Sequence, residues 1–143
     1  MGWYEWLLSL HVLGAFGMVG ATAAFWAFVV AARRSARPTA LRPALPSANV
    51  AVAAGSVLTV VFGVWLAIYL DGYELWDGWI LAALVLWAVS LELGRRGGEL
   101  IGRAGDDAAL TAVLRSGRTI ALLGASTAAL LVVLVLMIWK PGA

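Results

Sequence analysis

The chain contains a single histidine, His11, which lies in an uncharged stretch over residues 6–32. Imidazole can ligate heme iron or copper, or relay a proton. If this stretch crosses a bilayer as a helix, His11 lies about 7 Å inside Trp6 at the helical rise, within the hydrocarbon of one leaflet. An ionisable side chain at that depth is a candidate functional residue.

Met18 follows His11 on the same face of the predicted helix, and its thioether suits a soft metal such as Cu(I). The two residues are roughly 10 Å apart along the axis, so one ion cannot contact both. No other apolar stretch offers a histidine or anything better than Met137. A heme would therefore be five-coordinate, or bis-histidine across a dimer axis. Alternatively, His11 donates a hydrogen bond to a neighbouring helix and fixes the packing.

Glu92 is the other ionisable candidate, near the end of a later apolar stretch. Arg95 and Arg96 lie within one helical turn and can neutralise it. The alternative is an interior proton or cation site, which needs Glu92 to point into the bundle. An acidic segment with Asp71, Glu74 and Asp77 could attract a divalent cation, although a solvated loop is the simpler interpretation.

The composition and the motifs of the sequence exclude several other kinds of site. There is no cysteine, which excludes disulfides and thiolate chemistry. Phosphate-binding loops, nucleophile elbows, dinucleotide fingerprints and zinc patterns are missing from the sequence. A net charge of +2 gives no reason to expect a nucleic-acid partner. Because 63% of the residues are hydrophobic and 13% are charged, the lipid bilayer is the expected surrounding.

Four uncharged stretches must position these residues: 6–32, 44–70, 78–91 and 119–139. Backbone groups cannot stay unpaired in lipid, so each crossing is predicted to be helical. We predict an all-α protein, a four-transmembrane-helix bundle in one integral membrane domain over residues 1–143. The spans are expected at approximately 4–32, 47–70, 77–94 and 117–139. The third is the shortest.

Charge and aromatic residues predict the orientation. All nine arginines fall in two connections, 33–46 and 95–116, or at their edges, so the positive-inside rule makes these connections cytoplasmic. Both termini are then non-cytoplasmic. Interfacial aromatics agree, since they cluster at the opposite ends of the spans: Trp3, Tyr4, Trp6, Tyr69, Tyr73, Trp76, Trp79 and Trp139.

Local signals predict the connections and packing faces. Pro38, Pro43 and Pro46 should keep the first connection non-helical, with Ser47 capping the second span. Gly97 and Gly98 should break the chain, and Asp106 should cap a helix running from Asp107 to Arg118 into the last span.

Rows of small residues are expected to pack helices together and suggest a homodimer: Gly17 with Ala21, Gly20 with Ala24, Gly55 with Thr59 and Gly63, and Ala121, Ala125 and Ala129 beside Gly124 and Ala128.

Residues 6–15 (Trp-Leu-Leu-Ser-Leu-His-Val-Leu-Gly-Ala) and 58–66 (Leu-Thr-Val-Val-Phe-Gly-Val-Trp-Leu) resemble a family of small bacterial integral membrane proteins. That family is similar to copper-resistance D-type proteins and to the heme-binding membrane protoporphyrinogen oxidase. The resemblance implies a heme or copper ligand at His11 and a second span carrying Thr59 and Gly63. The chain departs from the oxidases in having no intramembrane lysine and no second histidine, so porphyrinogen oxidation is not expected.

These observations together predict a protein of the bacterial inner membrane that is accessory rather than enzymatic. We expect it to bind heme b, or copper, through His11, with Met18, Thr59 and Gly63 at the site, and to form a homodimer. Two alternatives remain open. One is a small transporter or ion-permeation protein that uses Glu92 or the acidic segment. The other is a structural subunit that docks on a membrane-complex partner.

Overall fold

A computed structural model of the chain describes residues 2–69 and 76–139, apart from the side chain of Pro46. The described residues form helices and short connections, with no strand among them. The helices are α1 (Trp3–Arg34), a 3-10 helix (Pro38–Ala44), α2 (Leu45–Tyr69), α3 (Gly78–Arg103), α4 (Asp107–Arg115) and α5 (Gly117–Trp139). The expected interfacial Tyr73 and the acidic residues Asp71 and Glu74 lie outside the described ranges.

Four helical segments in these ranges are long and apolar enough to cross a membrane, which supports the predicted all-α membrane protein. They are Trp3–Arg34, Pro38–Tyr69, Gly78–Arg103 and Gly117–Trp139. The second segment joins the 3-10 helix to α2. Most of their apolar side chains face outward, as expected for helices that lipid surrounds.

The long helices pair as two antiparallel hairpins, α1 with α2 and α3 with α5. In the first hairpin, a Cβ on Gly55 would lie 2.7 Å from the backbone N of Met18, and one on Gly14 would lie 2.8 Å from the backbone N of Thr59. Glycine at these two positions lets the α1 and α2 backbones touch. Ser56 adds a hydrogen bond from its hydroxyl to the sulfur of Met18, at 3.3 Å.

Two serines join the second hairpin through reciprocal hydrogen bonds. Ser90 Oγ donates to the carbonyl of Ser126, and Ser126 Oγ donates to the carbonyl of Ser90, each at 2.8 Å. The same face of α3 carries Gly94 and Gly97, where an added Cβ would lie 3.1 Å from Ser126 Oγ and 2.7 Å from Leu123 Cδ2. Small residues therefore bring α3 and α5 together, as on the other hairpin.

The predicted break at Gly97 and Gly98 is wrong, because α3 continues through both glycines to Arg103. Gly97 is a contact point for α5 rather than a turn. Ion pairs along the exposed face support this last part of the helix, where Arg95 pairs with Glu92 and Glu99. The chain leaves α3 at Ala104 instead, where the backbone becomes extended.

A cluster of buried apolar side chains lies at the end of the bundle that carries the arginines, called here the arginine end. The amphipathic helix α4 buries Leu110 and Leu114 against both hairpins. Their apolar neighbours are Phe28, Val29, Ala32, Ile101, Ala104 and Leu123. Asp106 caps α4 as predicted, since its carboxylate accepts from the Ala109 N–H at 2.7 Å. The predicted continuous helix to Arg118 is interrupted at Ser116, where the backbone is extended.

Polar contacts reinforce this end. Arg42 donates through Nη2 to the carbonyl of Ile101, in the last turn of α3, and to that of Ala104, the residue that follows the helix. Thr39, in the 3-10 helix, donates from its backbone N–H and its hydroxyl to Asp107 on α4, at 2.9 and 2.6 Å. The prediction that the prolines keep the first connection non-helical is therefore wrong, because Pro38–Ala44 is a 3-10 helix that leads directly into α2. Ser47 lies inside α2 and donates to the Ala44 carbonyl rather than capping the helix.

Candidate functional site: an apolar cavity around His11

The hairpins separate toward the aromatic end of the bundle, opposite the arginine end, and leave a cavity between them. Its volume is about 530 Å³, within the usual range of roughly 300–1,000 Å³ for small-molecule sites. Helices α1, α2, α3 and α5 all contribute to its walls, and almost every lining side chain is apolar. An apolar cavity of this size can hold a small lipid-soluble molecule.

His11 lines this cavity, and its ring is fixed by α2. His11 Nδ1 lies 2.7 Å from the carbonyl oxygen of Thr59. A carbonyl only accepts, so Nδ1 carries the proton and donates. In the neutral imidazole, Nε2 then has a free lone pair, and it has no hydrogen-bond partner among the described residues. A ring nitrogen donating to a carbonyl while the other stays available is how metal-binding histidines are usually oriented.

Gly63 makes room for this ring. A Cβ at Gly63 would lie 2.9 Å from His11 Cε1 and 3.0 Å from His11 Nδ1, too close for an ordinary contact. Thr59 supplies the accepting carbonyl and turns its own hydroxyl back to the Gly55 carbonyl, at 2.8 Å. The second-span residues expected near the histidine, Thr59 and Gly63, therefore do lie beside it.

Met18 belongs to the cavity wall but is packed differently. Its side chain is buried and its sulfur accepts the hydrogen bond from Ser56. Met137 on α5 lines the cavity too, near the aromatic end. The sequence analysis named Met137 as the best second ligand that the other apolar stretches offer, but it did not connect the α3 tryptophans Trp79 and Trp87 with His11, because nothing in one sequence tells how the second hairpin lies against the first.

Trp87 is the second polar group of interest in this wall. Its Nε1 is buried and has no acceptor among the described residues. Buried donors are normally paired, and an unpaired one calls for an explanation such as a missing ligand or water.

Glu92 lies elsewhere. It is about half exposed on the surface of α3 and pairs with Arg95 Nε at 2.8 Å and Arg96 Nε at 2.7 Å. It is not among the residues that line the cavity. This arrangement matches the structural interpretation of Glu92 as a neutralised surface carboxylate and gives no support to an interior cation site.

The metal-ligating side chains near the cavity can be compared with the protein ligands that copper and heme each need. Copper needs several protein ligands, and no cluster of three histidine, cysteine or acidic side chains occurs in residues 2–69 and 76–139. Heme carries its own four nitrogens and needs only one or two axial ligands from the protein. One nitrogen donor, His11, in an apolar surround meets the requirement of heme for a single axial protein ligand.

No family model, no curated protein and no solved structure matches this chain.

Proposed function

We propose that the protein holds heme b in the cavity between its hairpins, with His11 Nε2 as the axial ligand. The observation that carries the proposal is the 2.7 Å hydrogen bond from His11 Nδ1 to the Thr59 carbonyl, which in the neutral imidazole leaves the Nε2 lone pair available beside an apolar cavity. When bound, heme b supplies an iron centre capable of one-electron chemistry. The residues themselves bind and orient it and exclude water, which fits an accessory or redox-related protein rather than a hydrolase or transferase.

The test is an absorption spectrum with iron and copper analysis of protein purified in mild detergent from heme-replete cells. The wild type should show a Soret band and iron, and His11→Ala should lose both. Leu13→Ala is the matched control, because Leu13 is on the exposed side of the same helix. A wild type without a Soret band, or with copper in place of iron, would contradict heme binding.

The same proposal includes the membrane and the orientation. We infer a multi-pass protein of the bacterial inner membrane with its arginine end in the cytoplasm, because Arg33, Arg34 and Arg118 lie at that end and are exposed. Both termini are then outside. Alkaline phosphatase fused after the last residue should be active, while a fusion in the connection after Arg34 should not be. The reverse pattern would contradict the orientation.

We also infer a homodimer formed through α1. Gly17, Gly20 and Ala24 share an exposed face of α1, and a Cβ on either glycine would meet nothing within 4 Å. The rows of small residues led us to expect that these residues pack against another helix, but they do not pack within the chain. They are therefore available for contact with a second copy. Crosslinking in native membranes should give a dimer that Gly20→Leu weakens. A monomer alone would contradict it.

A further inference from the structure

A second, smaller cavity is a groove between α1 and α5. Its volume is about 180 Å³. The two helices line it with Val19, Ala23 and Trp26 of α1 and with Thr127, Leu130 and Leu131 of α5. Val19, Ala23 and Leu131 are exposed, so the groove is open to the surroundings of the protein, which for these apolar helices is lipid.

The side chains of this groove offer apolar contacts to an occupant, because their polar groups are already paired within the protein. The indole N–H of Trp26 donates to Thr127 Oγ1 at 2.9 Å. Thr127 Oγ1 in turn donates to the Leu123 carbonyl at 3.0 Å, and Thr22 Oγ1 donates to the Met18 carbonyl at 2.8 Å. An occupant is therefore held by van der Waals contact with its hydrocarbon.

Arg33 lies on the same face of α1 as the groove, nearer the arginine end. α1 is one helix over Trp3–Arg34, so residues that follow Trp26 at a spacing of four and seven stay on its face. These are Val30 and Arg33, and both are exposed, so the face is uncovered between the groove and the arginine. Arg33 is about 10 Å beyond Trp26 at the helical rise.

The charge of Arg33 is not neutralised by a neighbour. Arg33 has no ion pair within the described ranges, whereas Arg95, Arg96 and Arg103 each pair with a glutamate. An unpaired cation beyond an apolar groove is complementary to a molecule with an anionic headgroup and a hydrocarbon tail. Basic sites between membrane helices bind the headgroups of anionic lipids in this way.

We propose that the groove is a binding site for an anionic phospholipid from the leaflet at the arginine end, with an acyl chain in the groove and the phosphate beside Arg33. The lengths agree. The groove residues of α1 lie about 10 to 21 Å from Arg33 along the axis, and the chains of one leaflet extend about 15 Å from the headgroups to the mid-plane. A chain that begins at the level of Arg33 therefore passes Trp26 and enters the groove.

Native mass spectrometry of the purified full chain tests this, with or without heme in the protein. The probes are palmitoyl-oleoyl phosphatidylglycerol and the zwitterionic phosphatidylcholine with the same chains. The wild type should bind phosphatidylglycerol more tightly than phosphatidylcholine. Arg33→Gln should weaken phosphatidylglycerol binding about fivefold, the usual effect of one arginine near an anionic membrane surface.

Arg118→Gln is the matched control for the charge. Arg118 is exposed and is about 14 Å from Thr127 along α5, so it lies near the level of Arg33. Nine residues make two and a half helical turns, which places Arg118 on the side of α5 opposite the groove. This variant removes the same charge and should bind phosphatidylglycerol as the wild type does.

A second pair of variants tests the acyl chain. Ala23→Phe adds a ring at the exposed edge of the groove and should weaken the binding of phosphatidylglycerol, because the ring takes the space of the chain. Ala125→Phe is its control. Ala125 is also exposed, and it lies on the other side of α5 from Thr127, so the added ring should change nothing.

Three results would overturn the inference. Equal affinity of the wild type for the two lipids would mean that charge does not select the occupant. Equal losses in Arg33→Gln and Arg118→Gln would mean a general attraction of lipid to the arginine end. Unchanged binding in Ala23→Phe would mean that the groove holds no chain. None of these results bears on the Soret band, so the lipid site and the heme site stand or fall separately.

Discussion

The imidazole of His11 lies directly against Gly63, where a side chain would otherwise be: a Cβ on Gly63 would lie 2.9 Å from His11 Cε1. The helix α2 therefore needs glycine there for the ring to reach the Thr59 carbonyl one turn away. The small residue at position 63 therefore allows α2 to lie close to α1 and also allows the His11 ring to take its orientation.

Gly63→Ala should displace the His11 ring and break its hydrogen bond to Thr59. We expect a loss of about 1–3 kcal/mol in the free energy of unfolding, typical of overpacking, together with a loss of heme. Gly124→Ala is the control, since a Cβ there would meet nothing within 4 Å. Thermal unfolding in detergent and the Soret absorbance measure the two effects. An unchanged Soret band in Gly63→Ala would show that the ring position does not matter.

The serine pair between α3 and α5 predicts nearly additive losses. Each hydroxyl donates to a backbone carbonyl that remains when the other serine is replaced. Ser90→Ala and Ser126→Ala should each cost about 0.6 kcal/mol, and at most about 1.7, as found for hydrogen bonds between membrane helices. The double variant should cost nearly their sum.

Unfolding titrations in mixed micelles measure this, with Ser9→Ala as the control, because Ser9 donates only within its own helix, to the Glu5 carbonyl. A double variant no worse than either single one would mean that the hydroxyls bond chiefly to each other, through the 3.2 Å contact between the two Oγ atoms.

The contact between Thr39 and Asp107 predicts acid sensitivity at the arginine end. Hydrogen bonds from the Thr39 hydroxyl and backbone N–H lower the pKa of Asp107, with help from Arg37 and Arg42, against the opposing effect of desolvation. Because the folded pKa is lowered, the stabilisation is complete above the ordinary Asp pKa and is lost as pH falls through the folded value. Thr39→Val should therefore lower Tm at neutral pH and shrink the difference from wild type in acid.

Melting curves from pH 7 to pH 3 test this, with Thr111→Val as the control on the same helix. Thr111 donates to the Asp107 backbone carbonyl and not to its carboxylate. A Tm difference between wild type and Thr39→Val that stays constant across this pH range would contradict the proposed linkage.

The sequence predicted where the helices lie more accurately than which side of each helix contacts a neighbouring helix. Long apolar stretches predict spanning helices because lipid requires internally bonded backbone. Gly55, Thr59 and Gly63 were correctly expected to pack, and Ala21 is buried, whereas Gly17 and Gly20 face outward and Gly14 was not anticipated. The row predicted on α5 is largely wrong, because Ala121, Ala125 and Ala128 are exposed and a Cβ on Gly124 would meet nothing within 4 Å. Small residues occur on several sides of such helices, so composition alone does not tell which side meets a neighbour.

The continuation of α3 through Gly97 and the cavity itself could not be predicted for a related reason. Glycine in the helices of a membrane protein often marks a close helix contact instead of a break, and only the position of Leu123 on α5 distinguishes the two at Gly97. The cavity depends on the angle between hairpins, which α4 and the hydrogen bond from Trp26 Nε1 to Thr127 Oγ1, at 2.9 Å, help to fix. These contacts join residues far apart in the chain.

If His11 is a ligand as well as a packing residue, His11→Gln separates the two roles. A glutamine amide can still donate to the Thr59 carbonyl but is not an axial heme ligand. We expect His11→Gln to fold with a Tm near that of the wild type and to purify without a Soret band, while the wild type carries one. A wild type lacking the band, or a His11→Gln variant with an unchanged band, would contradict it.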